Sequence, residues 1–243
     1  MTAVPAGPPA GVSFQPATQV QRPLRLLLSG PPAGGKTLTA LRIAQGLAGD
    51  GRIALIDTER STAALYSSMV SFDCVNLPNG QAEQYLAAIQ QAITAGYTVL
   101  IIDSLTAAWS GVGGVLEHVD EVASQMRNPN TYAAWQAGGK VQNRLIDAVL
   151  NFPGHVICTV RSKIAHAQER NAQGRTTIRK LGEAIEQRKG LEYEFDLVAS
   201  CHDGGEVVFD KSRFPRIPIG HSESQPDHTL GQRLLAVLAN PTE

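Results

Sequence analysis

The chain has 243 residues, 43% of them hydrophobic and 18% charged, with a formal net charge of −1. That length buries one sizeable core and favours one α/β domain with appendages over two domains. A near-neutral balance excludes a nucleic-acid surface spread over the whole molecule, so any such surface must be a local cluster, and no apolar stretch approaches membrane-spanning length.

The first 22 residues, rich in Pro, Ala and Gly, read as a flexible arm. They lack a basic region followed by an apolar core, so no secretory signal is expected and a cytoplasmic location is. Cys74, Cys158 and Cys201 are odd in number and lack C-x-x-C spacing, which fits free thiols in a reducing compartment. Apolar runs at 24–29, 52–57, 97–102, 154–160, 194–200 and 206–210 read as strands, several too uniformly apolar for a half-exposed sheet. Helix-like segments at 36–48, 81–95, 115–126 and 132–151 alternate with them. The alternation predicts a doubly wound, mainly parallel sheet flanked by helices, with ligands at the carboxyl ends of the strands. The core is expected over 23–218, and 219–243 as a polar tail with a short helix at 230–239.

The first strand leads into "RLLLSGPPAGGKTLTAL", residues 25–41. Gly30, four residues, then Gly35, Lys36 and Thr37 form the P-loop spacing in a strand–loop–helix context, a match that arises by chance on the order of once in a hundred such chains. Backbone N–H groups of such a loop wrap a phosphate, and the positive end of the following helix adds to the same anion. The nucleotide-binding set is Gly30, Pro32, Ala33, Gly34, Gly35, Lys36, Thr37 and Leu38. Lys36 is expected on the β- and γ-phosphates of ATP, and the Thr37 hydroxyl on Mg²⁺.

Two strands end in carboxylates. "TVLIIDSL" places Asp103 where a Walker B aspartate holds the Mg²⁺ shell opposite Thr37. "IALIDTER" offers Asp57 and Glu59. Glu59 either orients and deprotonates a water for attack on the γ-phosphate or caps the following helix, and the residues leave both open. Segment 161–190 carries Arg161, Lys163, Arg170, Arg175, Arg179 and Lys180 among Gln, Asn, Gly and Thr, so a mobile basic loop is expected there. It has no aromatic residue to stack on bases, and any nucleic acid would be held through its phosphates. A merely solvated loop is the alternative. Trp109 and Trp135 read as core or interface, and His155 and His166 as structural or solvent-facing.

These pieces together resemble the RecA-like core ATPases, and more closely a short family of phage-encoded RecA-like ATPases associated with single-strand annealing and recombination. The motifs that carry the resemblance are "FQPA", "LSGPPAGGKTLTAL", "IALIDTERSTAALY", "LIIDSLTAAWSGVGGVLEHVD", "HVICTVRSK", "RKLGEAIEQRKGLEYEFDLV" and "FDKSRFP", spanning about 14–215. The resemblance implies a RecA-like P-loop fold and a DNA-stimulated ATPase active as a homo-oligomer on single-stranded DNA, with a single-strand DNA-binding protein as a further partner. It implies that Glu59 is the catalytic glutamate and that Lys211 and Arg213 reach the neighbour's ATP. It also implies that Phe14 and Ala17 dock the arm on the next subunit, that 161–190 binds DNA, and that Thr159 and Arg161 lie where the fold carries its γ-phosphate sensor. A nucleotide-gated regulatory protein and a small-molecule kinase are the rival readings.

Overall fold

Uniformly apolar strands need both faces covered, and this chain covers them with helices. The computed structural model describes residues 22–126, 131–170 and 176–240, and of 164–183 the backbone alone. In chain order the elements are β1 (Arg25–Gly30), α1 (Lys36–Ala48), β2 (Ile53–Asp57), β3 (Asp73–Asn76), α2 (Ala82–Thr94), β4 (Val99–Asp103), α3 (Leu105–Ser110) and α4 (Val115–Gln125). There follow α5 (Thr131–Leu150), β5 (His155–Arg170), β6 (Thr176–Ile185), β7 (Leu197–Cys201), β8 (Glu206–Ser212), β9 (Ser222–Ser224) and α6 (His228–Ala239).

Sheet order is β3-β2-β4-β5-β1-β7-β8-β9, with β6 pairing β5 outside that path. The strands from β3 through β7 are parallel; β8, β9 and β6 are antiparallel additions. The expected doubly wound, mainly parallel α/β architecture is therefore what the chain builds. One core lies between the sheet and α1 and α6, including Leu26, Leu28, Leu41, Phe209 and Leu234. The other lies under α2 and α5, including Leu27, Tyr85, Leu145, Phe152 and Phe195.

Two expectations are corrected. Segment 161–190 is not a loop over most of its length: β5 runs past the sheet and pairs with β6 as a ribbon, with a register shift between Ala165 and His166. Two strands that bond each other satisfy their backbone groups whatever their side chains, so loop-like composition does not exclude them. Residues 219–240 are not a tail either. β9 pairs β8, and α6 crosses α1 so closely that a Cβ at Gly46 would lie 1.9 Å from the His228 carbonyl oxygen. Asp227 caps α6 by accepting the Thr229 N–H at 2.8 Å. Among the described residues no helix is long and apolar enough to cross a membrane. Cys158 and Cys201 are buried, Cys74 is exposed, and all three are free thiols.

Candidate nucleotide site

The P-loop joins β1 to α1 at the carboxyl edge of the sheet. Its glycines are required for two different reasons. A Cβ at Gly30 would meet the Cys201 carbonyl oxygen at 2.4 Å, and one at Gly34 would meet it at 3.0 Å, so the loop lies directly on the end of β7. Gly35 instead adopts φ 76° and has open space where its Cβ would be, the backbone shape that leaves room for a phosphate. Ala33 holds φ 63° despite its side chain, a conformation that costs about 1 kcal/mol and places local strain in the loop.

Lys36 is folded back on this loop, its Nζ donating to the carbonyls of Gly30 at 3.1 Å and Pro31 at 2.8 Å. Burial lowers its pKa, against which the nearby Asp103 carboxylate acts. Thr37 Oγ1 donates to Asp103 Oδ2 at 2.6 Å, so the two expected magnesium ligands are already neighbours. β5 lies between β1 and β4, and its buried Thr159 hydroxyl donates to the other oxygen, Asp103 Oδ1. Asp103 is 2% exposed. Burial raises its pKa, partly opposed by the hydrogen bonds from Thr159 and Thr37. A pair of hard oxygens, one of them a carboxylate, with a cation and an open glycine cradle beside it, fits a magnesium-bound triphosphate.

Of the two roles the sequence left open for Glu59, the capping one is taken by Asp57. Asp57 is 1% exposed and accepts the N–H groups of Glu59 at 2.6 Å and Ala63 at 3.2 Å, so it is the residue that caps the turn. Glu59 is free of that task and faces Arg161, which donates to Oε1 at 2.7 Å and Oε2 at 2.8 Å through Nη2, and to Oε1 at 3.2 Å through Nε. Ser104 Oγ adds a bond to Glu59 Oε1 at 3.3 Å. Arg161, expected among the DNA contacts, thus sits on the carboxylate proposed as the base, at the root of the ribbon. Its own N–H donates to Thr106 Oγ1 at 2.9 Å, tying that root to α3 directly after Asp103.

Sequence reasoning did not find Thr58, Ser104 and Tyr85. Thr58 accepts the Ser104 N–H at 2.9 Å and donates its own N–H to the Asp103 carbonyl at 2.8 Å. The fully buried Tyr85 donates to the Ser104 carbonyl at 3.1 Å, and burial raises its pKa. Together they fix the segment that aims Asp103. The only available signal was the pair of Asp-ending strands, which does not specify cross-strand hydroxyls.

The remaining expected residues lie elsewhere. Lys163 is exposed on the ribbon opposite Ala184, and Arg170, Lys180 and Arg179 fall at ribbon positions facing Thr176, His166 and Ala167. Arg175, Phe14 and Ala17 lie outside the described residues. Lys211 and Arg213 are at the opposite, amino-terminal edge of the sheet, as the register of Lys211 with Val198 and of Leu197 with Leu26 requires. Lys211 Nζ donates to the carbonyls of Glu192, Tyr193 and Phe195 at 2.9, 3.0 and 2.6 Å. Arg213 donates to Asp196 Oδ1 at 3.2 Å and to the Tyr193 carbonyl at 2.8 Å. His155 is structural, its Nδ1 accepting the Leu24 N–H at 3.1 Å. Trp109 and the half-exposed Trp135 pack against each other, ring centroids 6.3 Å apart.

The profile of a family described as an AAA domain matches residues 22–216. No curated protein matches the chain. A solved structure of another protein's ATPase domain superposes with a TM-score of 0.47 at 14% identity, covering 84% of this chain and 81% of that one.

Proposed function

The chain belongs to the AAA domain family, and on that premise we propose that it is a RecA-like ATPase that hydrolyses ATP between subunits on single-stranded DNA. The process served would be annealing or recombination in a phage or prophage. The observation that carries the ATPase reading is the convergence of Lys36, Thr37, Asp103 and Glu59 at one edge of the sheet, from three separate stretches of chain.

In this reading the loop N–H groups and Lys36 bind the phosphates, and Thr37 and Asp103 hold Mg²⁺, which neutralises phosphate charge when bound. Glu59 takes the proton from the attacking water once Arg161 releases it. Arg213 and Lys211 cannot serve their own P-loop. Asp196, which holds Arg213, bonds the Arg25 N–H, five residues and about 16 Å along β1 from Gly30. In this reading they act across an interface, and Phe14 and Ala17 would dock the arm on the next subunit. Arg161, Lys163, Arg170, Arg175, Arg179 and Lys180 would place the ribbon on DNA phosphates without reading sequence. A single-strand DNA-binding protein is the further partner this reading calls for, and a cytoplasmic location follows from it.

The DNA half is tested by replacing Arg175, Arg179 and Lys180 together with Ala and titrating single-stranded DNA against salt. The slope of log K against log salt should shrink by roughly two units, at about 0.7 per lost phosphate contact, with ATP binding retained. Unchanged slope and affinity would favour a nucleotide-gated regulator. One observation favours the kinase reading. A cavity of about 760 Å³ opens beside Glu59, lined also by Asn76, Asn79, Ser110, Arg161 and Glu186, with room for an acceptor. Phosphate release in the absence of any acceptor separates hydrolysis from transfer.

A further inference from the structure

We propose that Asp196 and Arg22 act as a counter-ion pivot that positions Arg213 and lets it leave its own subunit for the neighbour's nucleotide. The inference rests on the trans role of Arg213 given above and adds two positioning residues to it.

Asp196 immediately precedes β7 and is 1% exposed. Its Oδ2 accepts the Arg25 N–H at 3.2 Å, which fixes the carboxylate to the first residue of β1. Its Oδ1 accepts from two guanidinium groups at once, Arg213 and Arg22. Both are about half exposed, at 46% and 56%. The third nearby arginine is not a substitute for either, because the Arg25 guanidinium is spent on the carbonyls of Leu150, Phe152 and Gly154.

A buried carboxylate that loses its cation is left unpaired at a large cost, whereas one that retains a second cation is not. With Arg22 on the same oxygen, Arg213 can exchange Asp196 and the Tyr193 carbonyl for phosphate oxygens while Asp196 stays neutralised. Without Arg22, the carboxylate holds Arg213 in place. Without the charge on Asp196, the Arg213 guanidinium loses its ionic partner and keeps only the Tyr193 carbonyl, while its backbone N–H stays on the Asp196 carbonyl. Arg22 is also the first described residue of the chain, so the two guanidinium groups on this carboxylate come from opposite ends of the core.

The test uses the full chain with Arg22→Gln, Arg22→Lys and Asp196→Asn, each assayed at saturating ATP and at protein concentrations above assembly. Arg22→Gln changes a side chain that is 56% exposed and leaves Arg213 on Asp196, and it keeps the test valid if Asp196→Asn melts early. Arg22→Gln should lower kcat per subunit on the order of tenfold to a hundredfold, the scale of a misplaced catalytic group, with KM for ATP within about twofold because the variant's own P-loop is untouched. Arg22→Lys should keep most activity. Mixing Arg22→Gln with Lys36→Ala subunits should restore turnover, since the second subunit supplies an intact Arg213 to the first subunit's intact P-loop; a merely structural defect would not be rescued. Wild-type kcat in Arg22→Gln, or a loss that mixing does not restore, overturns the pivot. Arg213→Ala mixed with Lys36→Ala is the control that separates the two claims. If Arg213→Ala is fully active, the trans role itself fails; if it is inactive and rescued while Arg22→Gln behaves as wild type, only the pivot fails.

Discussion

The two edges of the sheet hold their arginines differently. At the carboxyl edge, Arg161 grips Glu59, a carboxylate 29% exposed, through three bonds within a site that one chain assembles alone. At the amino edge, the Arg213 guanidinium meets the Asp196 carboxylate, 1% exposed, through one bond of 3.2 Å and shares it with Arg22, while the Arg213 backbone N–H donates to the Asp196 carbonyl at 3.0 Å. The first pair opens at little cost, since water screens a partly exposed pair and its net worth is at most about 1 kcal/mol. The second cannot open without a replacement cation. One arginine therefore suits a switch on the chain's own site, and the other suits a group exported to a neighbour.

The largest effect expected at the carboxyl edge is from Lys36→Ala, which should leave no measurable phosphate release while the circular-dichroism melt stays cooperative. Arg213→Ala, at the far edge, should lower kcat by about 10³–10⁵, the range found for arginine fingers. It should leave binding of a fluorescent ATP analogue unchanged, because that residue touches nothing in its own site. Equal loss of nucleotide binding in that variant would break the contrast between the edges. Glu59→Gln should reduce turnover by about 10²–10⁴ and trap the ATP-bound assembly, seen as a stable oligomer by sedimentation. Near-normal turnover would remove Glu59 as base.

Arg161→Ala tests the switch. With Glu59 released, the rate without DNA should rise several-fold toward the DNA-stimulated rate, and the stimulation ratio should fall. The smallest effect is on stability. Burial raises the Asp103 pKa, so the stability its neutral form contributes is full below the ordinary carboxylate value and is lost as pH rises through the raised one. At neutral pH, without metal, Asp103→Asn should therefore melt above the unsubstituted protein. Added magnesium and ATP should reverse that order.

Much of the architecture is written locally. The apolar runs became β1, β2, β4, β5, β7 and β8, and the P-loop spacing placed α1 at the residues expected, because a strand, a glycine turn and a helix start are set by neighbours in sequence. The pieces that were not legible depend on distant partners. The ribbon exists because 155–170 and 176–185 pair, and β3 and β9 are strands of 4 and 3 residues that borrow their order from β2 and β8. The Arg161–Glu59 contact joins residues 102 apart, and Arg22–Asp196 residues 174 apart. Gly30 and Gly34 belong to the nucleotide-binding set expected from the P-loop spacing, and they also make room for the Cys201 carbonyl. A close approach of two backbones has the same local signature as a ligand cradle.

The most direct measurement is ATP hydrolysis per subunit across a dilution series, with and without single-stranded DNA, the oligomeric state being recorded by sedimentation at each concentration. Hydrolysis between subunits predicts a rate per subunit that rises in step with assembly and rises again on DNA. A rate per subunit that is constant from monomer to oligomer and indifferent to DNA would contradict it.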